Sequence, residues 1–136
     1  MTPLPDSTDV LIVGSGIGGA TLAAGLAGSG AAVTILERGE QLADGPLARD
    51  ARAIFVEGRF RPKEEWRDGQ GKAFSPGNYY YVGGNSKFYG AVMLRYRAQD
   101  FDAMEHMDGV SPAWPFTYEV LEPWYARAEA LFQVRG

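Results

Sequence analysis

The stretch that decides the fold is Asp9-Val10-Leu11-Ile12-Val13-Gly14-Ser15-Gly16-Ile17-Gly18-Gly19. A short β-branched run closed by glycine suits a strand buried on both faces of a parallel sheet. The glycines that follow form G-x-G-x-x-G: Gly14 permits a tight turn, Gly16 lets the main chain approach a pyrophosphate, and Gly19 lets helix and strand pack closely. Downstream, Ile17–Ser29 is Ala-rich with Leu22 and Leu26 four apart, which predicts a helix, and Ala32–Leu36 repeats the buried-strand pattern. The expectation is a strand-helix-strand unit whose helix N-terminus offers free N–H groups to an anion.

Glu37 closes the second strand, 18 residues after Gly19. A carboxylate there can accept hydrogen bonds from both hydroxyls of an adenosine ribose and would repel a 2′-phosphate, which favours FAD or NAD over NADP. Arg38 reads as a solvated or stacking side chain. Ala23, Leu26, Gly30 and Val33 occupy the packing positions of the longer fingerprint of flavoproteins that bind the ADP half of FAD.

Composition narrows the classes. The 136 residues amount to about one domain, and 46% hydrophobic with 22% charged is globular rather than disordered. A net charge of −4 argues against nucleic acid or anionic lipid as partner. Without cysteine there is no disulfide framework, Cys-based metal site or thiol nucleophile, which also disfavours a disulfide reductase. Val10–Leu36 is uncharged, yet seven glycines interrupt it and only Asp6 and Asp9 precede it as charges, so we expect neither signal peptide nor membrane span and a cytoplasmic protein.

Outside the first unit the reading is coarser. Residues Met1–Thr8 read as a loose tail, and Gly39–Lys72 as loops with a short helix over Leu47–Val56. Seven of the 17 aromatics crowd Ala73–Tyr96 around Gly83-Gly84, which suggests a packed loop. A helix is expected from about Pro123, a residue suited to a first helical turn, with Trp124, Tyr125, Ala128, Leu131 and Phe132 at helical spacing. The lone histidine, His106, reads as a solvated or half-buried side chain in a Met-Asp-Gly loop. Lys87, Arg95 and Arg97 read as charges flanking the aromatic loop.

Val82-Gly83-Gly84-Asn85-Ser86-Lys87-Phe88-Tyr89-Gly90-Ala91, taken with the fingerprint, resembles the N-terminal signature of the glucose-methanol-choline (GMC) oxidoreductases. The likeness continues through Arg95-Tyr96-Arg97, Asp100-Phe101, Ser111–Pro115 and Leu121–Tyr125. It departs where the signature usually has small residues after the paired glycines and Asn or His before the next glycine; Asn85 and Tyr89 stand there.

The resemblance implies an α/β fold with a Rossmann-like FAD/NAD(P)-binding βαβ unit and an incomplete doubly wound sheet over residues 9–136. It implies FAD held by Gly14, Gly16, Ile17, Gly18, Gly19, Glu37 and Arg38, with Gly83, Gly84, Asn85, Ser86, Tyr89, Gly90 and Ala91 on the flavin side. Some members attach FAD through a histidine in this second stretch; only Phe88 and Tyr89 stand here, so non-covalent FAD is implied. The implied reaction is alcohol oxidation by hydride transfer to flavin. Its proton-accepting histidine, the substrate region and the remaining C-terminal polypeptide are expected beyond Gly136, and no residue of the chain is expected to be catalytic. The alternative is a truncated, non-catalytic dinucleotide-binding module.

Overall fold

The computed structural model describes residues 5–88 and 92–135. Contacts divide the chain into two compact units, Met1–Gly90 and Ala91–Gly136.

The first unit opens with strand β1 (Val10–Val13), helix α1 (Ile17–Leu26) and strand β2 (Val33–Leu36). β1 and β2 pair in parallel with Val10 opposite Val33 and Val13 opposite Leu36, the expected Rossmann-like βαβ unit. Each strand starts one residue later than the sequence suggested. At that level the Asp9 carboxylate takes the Ala32 N–H at 2.8 Å, while the Ala32 carbonyl accepts the Asp9 and Val10 N–H groups at 2.9 and 3.1 Å. α1 ends at Leu26 rather than Ser29, because Gly28 and Gly30 take left-handed φ values of 81° and 83° that turn the chain toward β2.

Burial on both faces does not hold for these strands. Only Ile12 is buried in β1, whereas Leu11 is 54% and Val13 81% exposed. Among the described residues the sheet has two strands, so the outward faces of both lack neighbours.

Beyond β2 the chain continues alongside the aromatic stretch: Glu40 bridges Tyr81 in parallel, and the Val82 N–H donates to the Glu40 carbonyl at 3.0 Å. The helix expected over Leu47–Val56 is instead two short turns, a 3-10 turn at Pro46–Arg49 and a π turn at Arg52–Val56. Asp50 accounts for the break, since its carboxylate accepts the N–H groups of Arg52 and Ala53 at 2.8 and 3.2 Å and restarts the chain there. Ile54 from the π turn packs with Tyr79 and Phe88 as a buried cluster, lined by Leu42, Phe60 and Tyr81. The Tyr79 and Phe88 rings lie 4.6 Å apart. Within the aromatic stretch, Tyr79, Tyr81 and Phe88 are therefore the packed part, whereas Phe74 and Tyr96 are exposed. A hairpin pairs β3 (Trp66–Arg67), in the segment read as loops, with β4 (Ala73–Phe74), at the start of the aromatic stretch.

The second unit holds a 3-10 turn at Ala98–Phe101, a hairpin of β5 (Met104–His106) and β6 (Gly109–Ser111), and helix α2 (Tyr118–Phe132). Phe101, 5% exposed, is its buried centre, with the rings of Trp114, Phe116 and Tyr118 about it. α2 begins five residues before Pro123, which sits inside the helix and deprives the Glu119 carbonyl of an N–H donor. The bidentate Arg95–Glu129 ion pair, 2.6 Å at each contact, ties the segment before the turn to α2.

Two glycines of α1 should respond oppositely to alanine. A β-carbon at Gly19 would overlap the Gly14 carbonyl oxygen and press Ile12 Cγ2 at 3.0 Å, whereas one at Gly25 would meet nothing within 4 Å. Gly19→Ala should destabilise by about 1–3 kcal/mol through overpacking, and Gly25→Ala should stabilise by up to about 1 kcal/mol through helix propensity. Thermal melts of the two variants beside the parent check this; equal shifts of the same sign would contradict the packing described.

Candidate functional site

The two glycine-rich turns, nearly 70 residues apart in sequence, meet through one side chain. The Gly83 N–H donates to Ser15 Oγ at 2.9 Å, and Ser15 Oγ–H in turn donates to Glu37 Oε2 at 2.6 Å. The Ser15 N–H reaches the same carboxylate oxygen at 2.9 Å, and the Gly39 N–H reaches Glu37 Oε1 at 2.9 Å. Local geometry makes this possible. β1 delivers Gly14, whose φ of 92° turns the chain, and β2 delivers Glu37 beside it because Val13 and Leu36 are register partners.

Charge at the site follows from these bonds. The Ser15 hydroxyl, then the Ser15 and Gly39 N–H groups, stabilise the Glu37 carboxylate and pull its pKa from 4.5 down to about 2, while partial burial opposes them. Glu37 is thus a fixed anion at neutral pH. Beside it, α1 starts at Gly16 with no side-chain cap and no acidic residue in its first turn. The N–H groups of Ile17, Gly18 and Gly19 at that end have no intrahelical acceptors and suit an anionic group. A β-carbon at Gly16 would have Gly83 O, 4.0 Å away, as its one neighbour within 4 Å, which leaves the glycine surface clear for a ligand.

The remaining sequence-derived positions fall out as follows. Arg38 stacks 3.6 Å from the centroid of the Tyr80 ring, and its guanidinium lies 3.7 Å from Glu64, whose carboxylate also accepts the Tyr80 hydroxyl. Gly83 and Gly84 have φ of 97° and 53° and start a 3-10 turn, Gly84–Phe88. Asn85 Oδ1 accepts the Tyr79 N–H at 2.8 Å, and Ser86 Oγ donates to the Gly83 carbonyl, so both side chains brace the turn. The Lys87 stem lies against Gly83. Tyr89, Gly90 and Ala91 lie outside the described residues.

His106, read as a loop residue, is on β5, exposed, with Nε2 2.9 Å from Ser111 Oγ across the hairpin. Arg95 pairs with Glu129 and Arg97 with Asp100, both within the second unit.

Sequence reasoning missed Ser15 and gave Gly39 no role. A β-carbon on Gly39 would overlap the Tyr80 carbonyl and the Tyr81 nitrogen, so only glycine lets β2 run on beside the aromatic stretch. Nothing local marks Ser15, because its partners are 22 and 68 residues away, and what demands glycine at position 39 is the distant Tyr80–Tyr81 backbone.

Residues 12–48 match a model described as an NAD(P)-binding Rossmann-like domain. Over 131 residues, 94% of the chain, the sequence is 35% identical to a 6‴-hydroxyparomomycin C oxidase from Streptomyces lividus, of which it covers 23%. It is 30% identical to a 2-methyl-1,2-propanediol dehydrogenase from Mycolicibacterium austroafricanum, with 100% of the chain and 26% of that protein covered. A paromamine 6′-oxidase from Streptomyces fradiae is 31% identical, with 94% and 24% covered. The chain thus spans about a quarter of the length of these curated relatives. No solved structure matches it. The relatives are oxidoreductases and the chain carries a dinucleotide-binding unit, which bears out the resemblance to the N-terminal part of the GMC oxidoreductases. Among the described residues no helix is long and apolar enough to cross a membrane.

The low pKa of Glu37 has a signed consequence. A carboxyl whose folded pKa is depressed stabilises the fold above its unfolded pKa, and that contribution fades as pH falls through the folded value. The stability difference between the parent and Glu37→Gln should be constant at neutral pH and shrink from about pH 4.5 toward about pH 2. Melting curves of both across that range check it; a difference that vanishes well above pH 4.5 would contradict the hydrogen bonding described.

Proposed function

We propose that the chain is the FAD-binding, N-terminal portion of a GMC-type oxidoreductase that oxidises a CH–OH group. One observation carries the reading: Ser15 joins the two glycine turns beside the uncapped start of α1, with the ionised Glu37 alongside. An anionic pyrophosphate suits the free N–H groups, and a ribose diol suits a carboxylate. The uninterrupted fingerprint through Ala23, Leu26, Gly30 and Val33 favours FAD over NAD. Two of the relatives' names specify hydroxylated molecules, hydroxyparomomycin and propanediol, which supports a small-molecule alcohol as substrate.

Each residue then has a task. Gly14, Gly16, Ile17, Gly18 and Gly19 cradle the pyrophosphate through main-chain N–H groups, and Glu37 receives a ribose hydroxyl on the Oε1 lone pair that Gly39 leaves open. Arg38, stacked on Tyr80, flanks the adenosine side. The turn Gly83–Ser86 is assigned to the flavin side, as the resemblance also implies for Tyr89, Gly90 and Ala91, and with no histidine in that stretch the cofactor is taken as non-covalent. Bound flavin would supply the two-electron acceptor for a hydride from the alcohol carbon, while the protein orients it and sets its electrostatics. The proton acceptor and the substrate-binding surface are assigned to the C-terminal polypeptide of the same enzyme, so this chain contributes no catalytic residue. The site calls for neither nucleic acid nor membrane, and the protein is placed in the cytoplasm.

In the enzyme that carries this chain, Gly16→Val should abolish FAD retention, because a branched side chain would fill the space where the phosphates meet the backbone. Glu37→Ala should weaken retention less completely, by roughly 1.5–3 kcal/mol for the charge-assisted bond lost. Flavin absorbance after gel filtration reads both. A Gly16→Val protein as yellow as the parent would contradict the cradle.

A further inference from the structure

We infer that Ser15 is the positioning residue of the site: its hydroxyl holds the Glu37 carboxylate and the Gly83 turn in the one arrangement that accepts the dinucleotide. The inference rests on the FAD reading above and deepens it by naming what sets affinity there.

Proton counting gives the direction of the bonds. A hydroxyl has one hydrogen to donate and lone pairs to accept with. The Gly83 N–H is a donor, so Ser15 Oγ must accept there, which sends its single proton to Glu37 Oε2. The order Gly83 N–H to Ser15 Oγ–H to Glu37 is therefore fixed, and each bond polarises the next in a part-buried setting. Oε2 also receives the Ser15 N–H, so the carboxylate is turned with Oε2 toward the glycine loop and Oε1 toward Gly39. A ribose hydroxyl must approach a carboxylate already held at that angle.

The other end of the relay matters as much. Gly83 takes a φ of 97°, and its carbonyl oxygen lies 4.0 Å from where a Gly16 side chain would begin, so the spacing between the two turns depends on the Ser15 bond. A side chain at position 15 without a strong acceptor would release Gly83, and one without a strong donor would let the carboxylate rotate.

Two variants of the enzyme that carries this chain separate this from a merely structural serine. Ser15→Cys keeps the shape but has only a weak S–H donor, so it folds while breaking the relay; Ser15→Thr keeps the hydroxyl. The readouts are the FAD dissociation constant from flavin fluorescence and the titration of the Glu37 carboxyl carbon by NMR. Ser15→Cys should weaken FAD binding about tenfold and move the Glu37 titration up from about 2 toward 4.5, and Ser15→Thr should restore both. The inference is overturned if Ser15→Cys leaves the Glu37 titration where it was, or if Ser15→Thr loses as much as Ser15→Cys. A parent enzyme that binds no FAD would refute the functional reading instead, and the titration would still decide the role of Ser15.

Discussion

A hydroxyl has one proton, and at Ser15 that proton goes to Glu37 while the oxygen takes the Gly83 N–H. The rest of the site hangs on this constraint. β1 and β2 bring position 15 beside position 37 through parallel register, but register alone does not orient a carboxylate, and the βαβ unit alone does not reach the second glycine turn. The hydroxyl does both. Gly19 and Gly39 serve the same end by letting α1 seat on β1 and the segment after β2 run close to Tyr80 and Tyr81.

What could be read from residues in order was what local physics decides. A β-branched run, a glycine turn and an Ala-rich segment specify β1, α1 and β2 to within three residues, because period and backbone freedom are properties of neighbours. The boundaries moved where a side chain takes a backbone N–H, as Asp9 does at Ala32. Asp50 broke the helix expected over Leu47–Val56 for the same reason. The start of α2 was misread because Pro123 suits a first turn, whereas tertiary packing about Phe101 and Glu129 holds the helix from Tyr118. Met107-Asp108 forms a hairpin turn that pairs His106 with Gly109, which puts His106 on a strand rather than in a loop. Of the site, the glycines and Glu37 were legible as types at a spacing; Ser15 was not, since its meaning lies in Gly83, 68 residues on.

The apolar surface of the first unit bears on how the chain is used. Leu11, Val13, Ile35 and Leu36 are each at least about a third exposed on a two-stranded sheet, a state that costs stability and invites partners. The proposed C-terminal polypeptide of the same enzyme would cover such strands in a fuller parallel sheet, where runs of this kind are normally buried. The cofactor cradle is largely independent of that covering, because its bonds close within residues 14–39 and 79–86.

Amide chemical-shift mapping during an FAD titration of the apo-enzyme that carries the chain tests the central claim most directly. The account predicts saturable shifts concentrated at Ser15, Gly16, Gly18 and Gly19, at Arg38 and Gly39, and at Gly83 and Gly84, moving together with one dissociation constant. Saturable binding that moved the first glycine turn and left Gly83 and Gly84 unshifted, or shifts confined to residues outside both turns, would contradict it.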